Sequence, residues 1–215
     1  MRESAQEYVE GLIAKARTAQ AQIEYAGQEE VDDLVARIAR AGTTETYAQA
    51  IAELAVEESR MGRVDSKYAK MMAKVKGSYR DMKGKRTVGV IERDDKRGIV
   101  KLAKPIGVIG ALIPVTNCEA TPFCKILAAI KTRNAVILAP HPRAAKTGKF
   151  AVDRVRTVLD RHGFPEDLVQ VTETISVEIS QLLMAQCDLV LATGGPGMVK
   201  AAYSSGTPAL GVGAG

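Results

Sequence analysis

The chain has 215 residues, 46% of them hydrophobic and 4% aromatic, with no Trp and a formal net charge of +5. That is enough apolar material for a large core of Val, Ile, Leu, Ala and Met, and the absence of any run of about 18 apolar residues excludes a transmembrane helix. The opening "MRESAQEYVEGL" lacks an apolar signal segment, and Cys118, Cys124 and Cys187 show no metal-ligand spacing, so a soluble cytoplasmic chain with no metal and no membrane partner is expected.

Four helices come first. Tyr8, Val9, Leu12, Ile13, Ala16, Ala19 and Ile23 recur at three- and four-residue steps, which places them on one buried helical face. Val31, Leu34, Val35 and Ile38 repeat the pattern, as do Tyr47, Ile51 and Leu54. A fourth stripe carries Val64, Tyr68, Met71, Met72, Val75 and Tyr79, with Gly42 and Gly62 as stops. Beside that stripe run Arg60, Arg63, Lys67, Lys70, Lys74, Lys76, Arg80, Lys83, Lys85 and Arg86, opposed only by Asp65 and Asp81. The plain reading is a solvated basic face; attraction of a polyanion is the alternative. Aromatic stacking platforms are lacking, so no nucleic-acid partner is expected.

From Thr87 the texture changes. "TVGVIER" and "GIVKLAK" flank "DDKR", which reads as a β-hairpin. From Pro105 short apolar runs follow: "GVIGALIP", "NAVILAP", "DLVQV", "DLVLA" and "ALGVG". Helix-like segments lie between them, at Thr121–Thr132, Ala144–His162, Val177–Met184 and Gly197–Ser204. Alternation of this kind predicts an α/β fold, an open doubly wound parallel sheet with doubly buried strands and helices on both faces. Such a sheet binds ligands beyond the carboxyl ends of its strands.

Those ends carry the candidate chemistry. "TGGPG" sits where a helix begins, so its free N–H groups and the helix dipole favour an anion. The alternative is a tight glycine turn with no ligand. Asn117 could donate to an oxyanion or merely satisfy its own turn. Cys118 precedes a helix, but no motif supports a nucleophile; Cys124 reads as core and Cys187 as structural. His141, between two prolines and close to Arg143, sits on a stiffened loop facing a phosphate or ribose, or on a plain surface turn.

Together, "KPIGVIGALIPVTN", "KTRNAVILAPHPRA" and "LATGGPGMVKAAYSSGTPALGVGAG" resemble the aldehyde dehydrogenase superfamily, and within it the CoA-acylating members. The resemblance is strong over 105–215 and weaker before. It implies that an aldehyde, CoA and NAD or NADP give an acyl-CoA and the reduced nicotinamide through a cysteine thiolate. Residue by residue, it implies that Asn117 binds the oxyanion. Ile113, Pro114 and Thr116 become strand-end contacts on the nicotinamide side. His141 and Pro142 replace the lysine-containing loop that holds the adenosine ribose elsewhere in the superfamily, which leaves NAD against NADP open. Thr193, Gly194, Gly195 and Val199 match the turn and helix that meet the pyrophosphate.

The implied organisation is a helical segment at 1–86, a bridging hairpin at 87–104 that makes homo-oligomer contacts, and a dinucleotide-binding core at 105–215. None of the three cysteines matches the family's nucleophile. A strand ending at "ALGVGAG" with no covering helix reads as the edge of the cofactor-binding part of a longer enzyme, inactive alone. Sulfoacetaldehyde and acetaldehyde are the candidate substrates, with Cys118 and Glu119 departing from the usual loop and expected to alter the pocket. The alternative function is a non-catalytic binding or assembly module that keeps the fold.

Overall fold

The computed structural model describes residues 3–213. Ala214 and Gly215, the last residues of "ALGVGAG", lie outside them. Four helices open the chain: α1 (Ala5–Ile23), α2 (Gln28–Gly42), α3 (Glu45–Ser59) and α4 (Val64–Met82). The first three bury most of the stripe expected of them, while α4 buries Met71 and Val75 and leaves Val64, Tyr68, Met72 and Tyr79 half-buried. α1 starts on a capping box, with the Glu7 N–H donating to Ser4 Oγ at 3.2 Å and the Ser4 N–H to Glu7 Oε2 at 2.9 Å, so two orphan donors are satisfied at once. In α3 the buried stripe runs through Tyr47, Ala48, Ile51, Ala52 and Ala55, and Leu54 is half-buried.

A two-stranded antiparallel ribbon follows, β1 (Gly89–Asp94) with β2 (Ile99–Ala103), with a register shift between Val90 and Glu92. Ile91, Ile99, Val100 and Leu102 are all exposed on it.

The remainder alternates β3 (Val108–Ile113), α5 (Thr121–Lys131), β4 (Ala135–Pro140), α6 (Ala145–Arg161), β5 (Val169–Val171), α7 (Val177–Gln186), β6 (Leu189–Thr193), α8 (Pro196–Tyr203) and β7 (Ala209–Val212). The five strands form one parallel sheet in the order β5-β4-β3-β6-β7. The chain therefore starts in the middle, moves out to β5, and returns to the other side of β3. β3 and β6 flank the topological switch point, where α/β sheets open a crevice.

The strands divide into two kinds. β3, β4 and β5 are buried along their whole length, as continuous apolar runs under helices on both faces should be. β6 and β7 depart from the expected double burial: they alternate, and Leu210 and Val212 are exposed. α8 covers one face of this pair, with Gly211 letting Val199 and Tyr203 approach its backbone. On the other face Leu189 and Leu191 of β6 are half-buried against the core, and Leu210 and Val212 of β7 stand exposed.

The N-terminal helices share one apolar cluster with the sheet. Phe123 of α5 lies against Gly42 and meets Tyr47 edge-on at 5.8 Å. Arg17 of α1 forms a two-pronged bond with Asp188, whose Oδ2 also accepts the Val108 N–H at 2.8 Å. Among the described residues no helix is long and apolar enough to cross a membrane.

Candidate functional site

Three loops leave the carboxyl ends of β3, β4 and β6. They are neighbours because the strands are: Ile113 pairs with Pro140, Leu112 with Ala192, and the His141 N–H donates to Ile113 O at 3.2 Å. The structure thus gathers the expected residues of all three loops at one edge of the sheet.

The first loop, 114–120, carries Pro114, Thr116 and Asn117. It turns inward after Asn117, so Thr116 is exposed and Asn117 half-buried, while Cys118, Glu119 and Ala120 are buried. Cys118 and Glu119, expected to alter the pocket, are buried beneath the loop. Burial pushes the Cys118 thiol up to about 11, which disfavours the thiolate. Cys187 is buried and pushed up to about 11 in the same way. Cys124, read from sequence as core, is half-buried and its thiol is also raised by desolvation.

The Asn117 side chain does not serve its own turn. Its Oδ1 accepts from Lys70 Nζ of α4 at 2.6 Å. An ammonium offers donors only, so the amide must present its oxygen there and leaves Nδ2 as the free end. Below it, Glu119 Oε2 accepts from Lys67 Nζ at 2.9 Å, and the same ammonium donates to Thr116 O at 3.2 Å. The Lys67 and Glu119 side chains are 3% and 0% exposed, so this is a fully desolvated ion pair. Two members of the expected solvated basic face are therefore not on it: Lys67 is core, and Lys70 leans over the loop. Glu119 draws both inward, because a buried carboxylate must be paired.

The second loop follows Pro140. His141 Nδ1 accepts the Arg143 N–H at 3.0 Å, and Pro142–Ala144 form one tight turn before α6. The Arg143 guanidinium donates to Ser59 O. Glu58 of α3 closes the start of α6, accepting the N–H groups of Lys146 and Thr147 at 2.8 Å each and the Thr147 hydroxyl at 2.7 Å. A carboxylate of the protein itself therefore fills this helix mouth.

The third loop is different. Gly195 caps α8 with φ −66° and ψ 167°, and Pro196 takes the first turn, where no N–H is needed. Gly194, Gly195 and Gly197 all avoid positive φ, so a left-handed turn does not require them. A Cβ at Gly195 or Gly197 would meet nothing within 4 Å. Among the described residues the N–H groups of Gly195 and Gly197 have no partner. Open space, free donors and a helix dipole fit an anionic group that approaches the backbone closely. Val199 sits one turn further on, with its side chain committed to Gly211.

One group was missed altogether. Lys125 of α5 donates to Leu191 O, in β6 just before Thr193, at 2.6 Å. Burial pulls its ammonium down to about 8. Its position three residues past Pro122 gave no sign of this, since a lysine on a helix is ordinarily solvated.

Against known families, residues 1–210 match the model described as the aldehyde dehydrogenase family. The chain belongs to that family. It is 48% identical over 203 residues to a sulfoacetaldehyde dehydrogenase from an Acholeplasma species, covering 94% of this chain and 42% of the relative. It superposes on an acetylating aldehyde dehydrogenase from Geobacillus thermoglucosidasius with a TM-score of 0.94 at 37% identity, over 98% of this chain and 47% of that one. A Rhodopseudomonas palustris propionaldehyde dehydrogenase solved with bound propionyl-CoA gives a TM-score of 0.83 at 29% identity, over 96% and 46%. This aldehyde dehydrogenase chain thus spans less than half the length of these relatives.

Proposed function

We propose that this chain is the NAD(P)-binding part of a CoA-acylating aldehyde dehydrogenase, which converts an aldehyde and CoA to an acyl-CoA. The observation that carries this reading is the pair of lips at the β3/β6 switch point. One lip offers the oriented amide of Asn117; the other offers the open, unpartnered mouth of α8. When bound there, the nicotinamide dinucleotide supplies the hydride acceptor.

The chain's own groups then have defined tasks. The Gly195 and Gly197 N–H groups and the α8 dipole hold the pyrophosphate, with Thr193 and Gly194 forming the floor and Val199 bracing the helix on β7. Ile113, Pro114 and Thr116 flank the nicotinamide side. His141 and Pro142 stand on the adenosine-ribose side, with His141 Nε2 available because Nδ1 is committed to Arg143. Asn117 Nδ2 donates to the carbonyl oxygen as negative charge develops on it. The attacking thiolate is assigned outside this chain, since burial disfavours ionisation of Cys118, Cys124 and Cys187 alike.

CoA is the proposed acyl acceptor, supported by the propionyl-CoA bound to the Rhodopseudomonas relative. Sulfoacetaldehyde, supported by the Acholeplasma relative, and acetaldehyde are the proposed substrates. The exposed apolar side chains of the hairpin at 87–104 suit contact with another copy of the chain, and a cytoplasmic location is proposed with it.

The test is an assay of the full-length protein with sulfoacetaldehyde and acetaldehyde, with and without CoA, alongside calorimetric titration with NADH and CoA. Formation of NAD(P)H and acyl-CoA that requires CoA is expected. Release of the free acid without CoA, or no binding of the dinucleotide, overturns the proposal.

A further inference from the structure

The Asn117 amide could turn either end toward the crevice, and only the Nδ2 end can donate to an oxyanion. What fixes the choice lies outside the loop. Lys70 Nζ holds Oδ1 at 2.6 Å from a helix 47 residues earlier in sequence. A half-exposed lysine would ordinarily reach for water. Here it is kept inward by Glu119, whose Oε1 lies 3.8 Å away, buried and with no hydrogen-bond partner of its own. The other oxygen, Oε2, is already taken by Lys67. A carboxylate with one unsatisfied oxygen in a dry site needs the second positive charge. Lys67 also ties the Thr116 carbonyl, so one ammonium fixes the loop backbone while the other fixes the amide.

A desolvated ion pair is a poor source of stability compared with apolar packing. Its use beneath this loop makes sense if orientation is what it secures. We infer that Lys70, anchored by the buried Glu119–Lys67 pair, is the positioning residue that turns Asn117 Nδ2 toward the substrate oxygen. The ammonium also polarises the amide it holds, which strengthens the N–H donors on the far side. This inference rests on the role proposed for Asn117, so its test separates the two.

In the full-length enzyme, Lys70→Met should lower kcat about tenfold or more, the loss expected when an oxyanion donor is misaligned, while the KM for the aldehyde changes little. Lys70→Arg, which keeps a donor-only cation, should restore most of the loss. In an Asn117→Ala background Lys70→Met should add nothing, because residues that act through one another are not additive. An unchanged kcat in Lys70→Met, or a full independent loss on top of Asn117→Ala, overturns the inference. If the wild-type enzyme shows no CoA-dependent activity at all, the proposed function fails, and crystal structures decide the positioning alone. The amide leaving its wild-type orientation in Lys70→Met but keeping it in Lys70→Arg supports the inference; an amide unmoved in Lys70→Met overturns it.

Discussion

Lys125 keeps a hydrogen bond to the Leu191 carbonyl, but burial outweighs it and fixes the sign of its effect. Its ammonium is pulled from 10.5 down to about 8 by desolvation. The unfolded chain therefore binds this proton more readily than the folded one between about pH 8 and 10.5. Below pH 8 the buried charge costs stability in full, on the order of a few kcal/mol; as pH rises through that window the cost is relieved. Lys125→Met should accordingly stabilise the chain most at pH 7, and its advantage should shrink steadily by pH 10. Urea unfolding of both proteins across that range measures the difference directly. The comparison cancels the opposite slope from Cys118 and Cys187, whose raised pKa values make stability fall above about pH 9. A constant difference at every pH would mean that Lys125 is solvated. Single residues also mark the limit of what the sequence alone discloses. Lys67 falls on the 67–71–75 stripe with Met71 and Val75, so its burial was signalled by period. It was masked by the company of nine neighbouring cations. Its partner Glu119 lies 52 positions away, and no local pattern announces such a pair.

At the scale of elements, helices were legible because each had a full stripe of three- and four-residue spacing to bury. Strands were legible as short apolar runs between turn residues. Which strands would be covered on both faces was not, because β6 and β7 read much like β4 yet are only partly covered on one face. Burial on a second face depends on what packs there, and periodicity in a strand of four or five residues cannot carry that. How α2 meets α5 was equally hidden. Gly42 read as a helix stop, and it is the last residue of α2, but it also lets the Phe123 ring lie flush against the helix. A Cβ there would stand 2.5 Å from the ring, which is fully buried and wedged against Tyr47. Gly42→Ala gains up to about 1 kcal/mol of helix propensity and loses about 1–3 kcal/mol to overpacking. A net destabilisation of about 1–2 kcal/mol is expected, read as a lower denaturation midpoint at unchanged m-value. A stabilised variant would show that the ring moves freely and that the contact is not close-packed.

At the scale of the whole molecule, the place of the candidate site was legible because a parallel sheet collects every strand's carboxyl end on one edge. Residues far apart in sequence, 113–117, 141–142 and 193–199, therefore had to be neighbours once the alternation of strand and helix was recognised. The roles of the two helix mouths were not legible, since α6 and α8 both begin after a strand beside a proline. Only the fold brings Glu58 onto the first and leaves the second open. That contrast yields a prediction in which folding and binding separate. At Gly195 the backbone is ordinary for any L-residue, and a Cβ meets nothing within 4 Å. Gly195→Glu should then change the stability of the unliganded chain by no more than about 1 kcal/mol, since a less suitable cap is partly offset by an acid at the helix N-terminus. In the wild type, NADH at a hundred times its Kd should raise the unfolding free energy by about 2.7 kcal/mol. In Gly195→Glu the same NADH concentration should raise it little, because the added carboxylate occupies the anion's place and repels it. Thermal unfolding of both chains with and without NADH measures all four corners. A variant that loses its fold would make Gly195 a structural glycine, and a variant that keeps the full NADH shift would place the dinucleotide away from α8.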